Sequence, residues 1–121
     1  MARVLIVDDS AIMRRNLAAI MGRGGHEVIG EALNGMQALA EYGNLHPDIV
    51  TMDITMPLSD GIEALGKLLG RYPDARVVMI SAINQKDRVF EAIKLGAKNY
   101  IIKPFEEDKV INIINQVLGL R

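Results

Sequence analysis

The 121-residue sequence contains no cysteine, which excludes disulfides, thiolate metal sites and cysteine nucleophiles. It has no basic excess, because 14 Lys and Arg stand against 15 Asp and Glu for a net charge of -1, and binding a polyanion needs such an excess. No apolar run approaches the length of about 18 residues that a membrane span requires, and none resembles a signal peptide. We therefore expect a cytoplasmic protein that binds neither nucleic acid directly nor a membrane.

The residues that are present are sufficient for one hydrophobic core. Half of them are hydrophobic, and a chain of this length forms a single domain by the usual length prior. We find no internal repeat, low-complexity segment or linker. The sequence thus predicts one domain spanning residues 1–121, and any activity must reside in that compact unit.

Short apolar runs alternate with longer segments along the whole chain. Five runs have the length of strands, and they begin at Arg3, Glu27, Asp48, Arg76 and Asn99. The segments between them place apolar residues at the i, i+3, i+4 spacing of a helix. Strict alternation of this kind predicts an α/β domain with a doubly wound, five-stranded parallel sheet and five helices that cover both faces.

Polar residues end four of the predicted strands. These residues are Asp8 and Asp9, Asp53, Ser81 and Lys103. The carboxyl ends of parallel strands meet at one edge of the sheet, called here the carboxyl edge, and ligands of such folds bind there. A single polar residue at the end of a strand usually shows only that the chain reaches solvent there. Five such residues at one edge indicate a functional site.

The residue types at this edge indicate phosphoryl chemistry. Three carboxylates that converge would repel one another and raise their pKa values, whereas Mg²⁺ (or Mn²⁺) would favour their charged forms. Mg²⁺ takes one or two carboxylates and phosphate oxygens, so one carboxylate is left to act as a nucleophile. A serine hydroxyl and a lysine ammonium are the groups needed around phosphoryl oxygens.

Four segments carry a family resemblance. VDDS closes the first run, DIVTMDITMPLSDG surrounds the third, VVMISA forms the fourth, and GAKNYIIKPF contains the fifth. In this order and spacing they resemble the receiver domain of two-component response regulators. The resemblance implies a flavodoxin-like fold with strand order 2-1-3-4-5. It also implies a phosphoprotein of phosphorelay signal transduction, a switch that phosphorylates and dephosphorylates itself and is not a turnover enzyme.

The resemblance also implies roles for the polar strand ends. Asp53 matches the phosphoacceptor, and Lys103 matches the lysine that pairs with the phosphoryl group. Asp8 and Asp9 match the acidic pair, of which the second binds Mg²⁺ directly and the first through water. The backbone carbonyl of Thr55 matches the remaining metal ligand.

Neighbouring positions match the switching parts of such domains. Ser81 matches the switch hydroxyl, and Ala82 the small residue that leaves access to the phosphoryl group. Tyr100 matches the aromatic residue that moves inward when that hydroxyl moves to the phosphate. Pro104 matches a proline preceded by a cis bond, while Ile83, like Thr55, faces the path of the hydrolytic water.

Within the family, VDDSAIMRRNL and GEALNGMQAL resemble the CheY-like group of chemotaxis regulators. That resemblance implies a monomer phosphorylated by a CheA-like sensor histidine kinase, with a phosphatase as a further partner. It also implies that a flagellar switch protein binds the face formed by the fourth helix, fifth strand and fifth helix. Residues expected on that face are Arg88, Glu91, Lys94, Tyr100, Val110, Ile111 and Ile114, although the isoleucines are equally compatible with the core. A phosphorelay intermediate, or a receiver from a longer DNA-binding or methylesterase regulator, is the alternative.

Two other classes share part of the pattern. A Mg²⁺-dependent phosphohydrolase of the haloacid dehalogenase kind also uses an aspartate at a strand end, but it requires Asp-x-Asp after the first strand, where this chain has DDS. A flavin-binding module would have a Ser/Thr/Gly-rich phosphate loop in place of DDSAIMRR. His26 and His46 precede strands, so we expect them at the opposite edge as surface or capping residues.

Overall fold

The computed structural model describes residues 1–56 and 59–120, and Pro57 and Leu58 of the DIVTMDITMPLSDG segment lie outside these ranges. The strands are β1 (Arg3–Val7), β2 (Glu27–Ala32), β3 (Ile49–Asp53), β4 (Thr55–Met56), β5 (Ser59–Asp60), β6 (Val77–Ala82) and β7 (Asn99–Lys103). The helices are α1 (Ala11–Arg23), α2 (Gly35–Leu45), α3 (Gly61–Arg71), α4 (Lys86–Leu95) and α5 (Glu107–Leu118).

Five strands form one parallel sheet in the order β2-β1-β3-β6-β7. Counted along the chain without the short β4–β5 hairpin, this order is 2-1-3-4-5, so the predicted fold class is confirmed. The hairpin follows Asp53, pairs antiparallel and was not predicted. Asp53 pairs with Ile80, and Ala82 pairs with Lys103, so the polar ends of β3, β6 and β7 lie at the same edge.

Both faces of the sheet are buried because successive side chains of a strand point to opposite faces. In β1, Leu5 and Val7 pack in the core under α2, α3 and α4. Val4 and Ile6 pack in the second core under α1 and α5. This double burial explains why the strands read as continuous Val, Ile and Leu runs, and it holds their carboxyl ends rigidly.

Side-chain caps fix where the helices start at the carboxyl edge. The hydroxyl of Ser10 accepts a hydrogen bond of 3.2 Å from the backbone N–H of Met13, so Ser10 caps α1. Asp60 caps α3, because its side chain accepts a hydrogen bond of 2.8 Å from the N–H of Ile62. A side-chain oxygen at this position satisfies a backbone donor that the helix itself leaves free. Asp9 is therefore available for the site.

The buried face of α5 includes residues that the sequence left ambiguous. Val110 and Ile114 are both 0% exposed and belong to the core beneath α1 and α5. The placement of Val110 on a partner-binding face was therefore wrong, and Ile114 takes the core position that the sequence left open. Ile111 is partly buried against the same core. The exposed part of α5 is consequently polar, and a partner at this helix would meet fewer apolar side chains than predicted.

The two histidines lie away from the carboxylates, but only one is at the surface. His46 is exposed and ends α2 with a left-handed backbone. His26 is buried: its Nδ1 accepts 3.1 Å from the N–H of Ala2, and its Nε2 lies 2.8 Å from Oδ1 of Asn115. His26 thus joins the amino end of the chain to α5.

Among the helices in residues 1–56 and 59–120, none has the length and apolar character that a membrane span requires.

Candidate functional site

Three carboxylates meet at the ends of β1 and β3. One oxygen from each of Asp8, Asp9 and Asp53 lies within 4.8 Å of the others. Asp8 and Asp53 are buried, whereas Asp9 is exposed. Oδ2 of Asp8 is buried and has no hydrogen-bond partner among the described residues. Oxygen ligands of this kind suit a hard divalent cation, so the cluster fits Mg²⁺ or Mn²⁺.

Burial dominates the electrostatics of this cluster. It raises the pKa of Asp53, against the opposing charge of Lys103 and with a further increase from Asp8. It likewise raises the pKa of Asp8, although the N–H of Ser10, at 2.8 Å, and Lys103 both lower it. The charged forms of both carboxylates are therefore poorly stabilised, and a bound cation would stabilise them.

Lys103 brings the one ammonium group that contacts the buried carboxylates in the described part of the chain. Its Nζ lies 3.3 Å from Oδ2 of Asp53 and 4.0 Å from Oδ2 of Asp8. The peptide bond to Pro104 is cis, as the resemblance implied. The other oxygen of Asp53 accepts a bond of 3.3 Å from the N–H of Thr55. Both oxygens of Asp53 are thus held in place.

Arg14 supports the acidic pair from α1, a contribution that the sequence did not reveal. Its guanidinium donates 2.8 Å to the backbone carbonyl of Asp8 and 2.9 Å to Glu31 on β2. The contact fixes the backbone at the end of β1. The sequence shows only that a basic residue stands in the first turn of a helix, which is common on solvated faces.

Ser81 is 0% exposed, and its hydroxyl has no hydrogen-bond partner among the described residues. A buried hydroxyl without a partner costs free energy. It borders a cavity of about 550 Å³ that is also lined by Phe90 on α4 and by Tyr100 on β7. Tyr100 is 39% exposed, so the residue lies at the surface beside this cavity.

The positions expected to lie near the hydrolytic water have different surroundings. Ile83 is 75% exposed in the loop after β6. Thr55 is also exposed, but its hydroxyl accepts a bond of 2.6 Å from Nε2 of Gln85. The same Gln85 side chain accepts 2.7 Å from the N–H of Ala82. Sequence reasoning missed Gln85, since a glutamine between a loop and a helix carries no distinctive signal.

Arg88, which was expected on the partner-binding face, makes a contact that the sequence did not predict. Its guanidinium forms an ion pair with Asp60, so it links α4 to the start of α3. Burial raises the pKa of Asp60, but the contact with Arg88 and the N–H of Ile62 outweigh it, and the net effect is a lowered pKa. Both side chains of this ion pair are 40% exposed, so Arg88 is held toward α3 without being buried.

The sequence model of the response regulator receiver domain family matches residues 4–115. The chain belongs to this family of two-component response regulators. It is 50% identical over 115 residues to the chemotaxis protein CheY of Thermotoga maritima, covering 95% of this chain and 96% of that protein. It is 48% identical to the chemotaxis protein CheY of Bacillus subtilis over 117 residues, covering 97% and 98%.

Solved structures agree with this assignment. One is a CheX–CheY complex with BeF₃ and Mg²⁺ from Borrelia burgdorferi, which matches with a TM-score of 0.90 at 39% identity and covers 95% of this chain and 87% of that one. The chain is therefore a CheY-like receiver domain.

Proposed function

We propose that Asp53 accepts a phosphoryl group from a phosphohistidine of a sensor histidine kinase. The observation that carries this proposal is the contact of Asp53 with Lys103 at 3.3 Å inside a cluster of three carboxylates. A carboxylate oxygen of Asp53 attacks phosphorus, the P–N bond breaks, and the imidazole leaves with the electron pair and takes up a proton. The product is an acyl phosphate on Asp53.

The residues of the carboxyl edge divide the work of this transfer. Asp9, Asp53 and the carbonyl of Thr55 would hold the cation, with Asp8 acting through water. Mg²⁺ bound there would neutralise carboxylate charge and orient the phosphoryl oxygens. Lys103 offers a positive charge to the product, and Ala82 leaves the approach to Asp53 open. Because the phosphoryl group stays on the chain until water removes it, the protein acts as a switch and not as a turnover enzyme.

The phosphoryl group adds about -1.5 to -2 charges and strong acceptors at the carboxyl edge. The buried hydroxyl of Ser81 gains a partner by turning toward it. The cavity between α4 and β7 can then receive the ring of Tyr100. The face formed by α4, β7 and α5, called here the output face, changes shape through a shift between two packed states.

We further propose a chemotaxis role in which the output face binds a flagellar switch protein and a CheA-like kinase is the phosphoryl donor. The support is the similarity to proteins named CheY at 48–50% identity over nearly the whole chain. The Borrelia complex shows that a relative binds CheX, and a partner of that kind is a second candidate. A phosphorelay role is the alternative.

The phosphotransfer proposal is tested with Mg²⁺ and acetyl phosphate, followed by mass spectrometry of the intact protein. Wild type should gain one phosphoryl group, and Asp53→Asn should gain none. Asp74→Asn changes an exposed aspartate far from the cluster and should behave as wild type. Modification of Asp53→Asn to the wild-type extent would refute the assignment.

The partner proposal is tested by adding purified flagellar switch protein with and without beryllofluoride, which mimics the phosphoryl group. Tighter binding in its presence supports the chemotaxis role. Equal binding, together with transfer of the phosphoryl group from Asp53 to a histidine of a phosphotransfer protein, would favour the phosphorelay role.

A further inference from the structure

Gln85 lies at the start of a helix, but its side chain forms hydrogen bonds with other segments of the chain. It occupies the N-cap position of α4, yet its side chain makes no capping bond to that helix. Instead, its carboxamide reaches back and joins two segments of the carboxyl edge, through Oε1 to the N–H of Ala82 and through Nε2 to the hydroxyl of Thr55. We call this pair of bonds the Gln85 bridge.

The sheet register shows where the Gln85 bridge lies. Asp53 on β3 pairs with Ile80 on β6. Ala82 ends β6 two residues after Ile80, and Thr55 begins the β4–β5 hairpin two residues after Asp53, so both follow the rung that carries Asp53. The carboxamide of Gln85 therefore links the segments that follow β3 and β6, next to Asp53, whose other contact is the N–H of Thr55.

The bridge also occupies a backbone donor at the carboxyl edge. Ala82 pairs with Lys103, so its N–H lies on the same rung of the sheet as the lysine that contacts Asp53. Backbone N–H groups aimed at a phosphoryl oxygen stabilise its charge without reorganisation. In the structure this N–H is already bonded to Gln85 at 2.7 Å.

We propose that Gln85 is a positioning residue that competes with the phosphoryl group for the N–H of Ala82 and thereby sets how readily the site is loaded. The unmodified state is stabilised by the Gln85 bridge, and loading of Asp53 breaks it. Release also frees the hydroxyl of Thr55 and the start of α4, a helix of the output face. This inference rests on the proposed function of Asp53.

The test uses Gln85→Met, which keeps the length of the side chain and removes both hydrogen bonds. In wild type, beryllofluoride must displace the bond between Gln85 and the N–H of Ala82, and in Gln85→Met it need not. We therefore expect Gln85→Met to bind beryllofluoride about three- to tenfold more tightly than wild type, the ratio that one net hydrogen bond gives. The affinity for Mg²⁺ alone should be unchanged. A general loss of structure would not separate these two affinities. Gln116→Met, an exposed glutamine on α5, should match wild type in both. Equal or weaker beryllofluoride binding by Gln85→Met would overturn the inference.

A measurement on the wild type keeps the proposal testable if the variant is poorly folded. In NMR spectra, the side-chain amide protons of Gln85 and the backbone N–H of Ala82 should shift together as beryllofluoride and Mg²⁺ are added. If the Gln85 amide is unchanged while Asp53 is loaded, the inference fails and the proposed function stands. If the wild type does not respond to beryllofluoride at all, the proposed function fails as well.

Discussion

The ammonium of Lys103 lies 3.3 Å from Asp53 and 4.0 Å from Asp8, between two carboxylates that burial leaves poorly stabilised. This one cation connects β7 to the ends of β1 and β3. Any event that adds negative charge at Asp53 must therefore act on β7, the strand that also carries Tyr100.

Removing this cation should weaken binding of a phosphoryl mimic. Lys103→Met loses a charge-assisted contact, so we expect beryllofluoride affinity to fall at least about tenfold. Isothermal titration in the presence of Mg²⁺ measures the change. Lys109→Met, an exposed lysine on α5, is the control. An affinity equal to wild type in Lys103→Met would show that the contact has no part in the site.

The acidic cluster should lower the free energy of unfolding at neutral pH when no metal is bound. Burial raises the folded-state pKa of Asp53, so the folded protein binds this proton more tightly than the unfolded chain does. The free energy of unfolding therefore increases as pH falls through the raised pKa, and this gain is complete near the unfolded value of about 3.9.

Asp53→Asn removes the buried charge and should melt at a higher temperature than wild type at pH 7 in chelator. Its advantage should shrink as pH is lowered, because wild-type Asp53 then becomes neutral too. Thermal unfolding followed by circular dichroism between pH 7 and pH 4 measures both trends. A constant difference across this range, or a lower melting temperature at pH 7, would contradict the pKa direction.

Gly61 keeps α3 close to the end of β3. A Cβ there would contact the backbone carbonyl of Asp53 and would lie 2.8 Å from the Cα of Ile54, and backbone atoms cannot move aside easily. Gly61→Ala should therefore destabilise the protein by about 2 kcal/mol or more in denaturant unfolding. Gly70→Ala, where a Cβ meets no atom within 4 Å, should stabilise it by about 0.5–1 kcal/mol. Similar effects of both substitutions would argue against the close approach.

Ile83 should lengthen the life of the acyl phosphate, because its exposed apolar side chain cannot orient the hydrolytic water. Ile83→Glu supplies an acceptor, and we expect the half-life of the acyl phosphate to shorten at least about threefold. Ile83→Leu keeps the apolar character and should match wild type. Loss of label from the phosphorylated protein gives the half-lives. Equal values for Ile83→Glu and wild type would show that Ile83 does not slow hydrolysis.

The sheet and the position of the site could be predicted because both follow from periodicity. Parallel strands share one carboxyl edge, so the residues that end them, such as Asp53 and Lys103, are brought together by any fold of this class. Burial on both faces also explains the strand composition.

The contacts of Gln85 and Arg88 could not be predicted, because they depend on loop conformations that local sequence does not specify. The short β4–β5 hairpin was missed for the same reason. Val110 and Ile114 illustrate a different limit: an apolar helix residue fits the core or a partner surface equally well by pattern. Only packing against β7 and α1 decides which side of α5 is buried.

Charge at Asp53 is proposed to switch the output face. The NMR signal of the Tyr100 ring, followed while beryllofluoride is added in the presence of Mg²⁺, tests this switch. We expect a saturable shift of that signal in wild type, as the ring becomes buried, and no shift in Asp53→Asn. A wild-type ring that does not respond, or an equal response in Asp53→Asn, would show that charge at Asp53 does not move Tyr100.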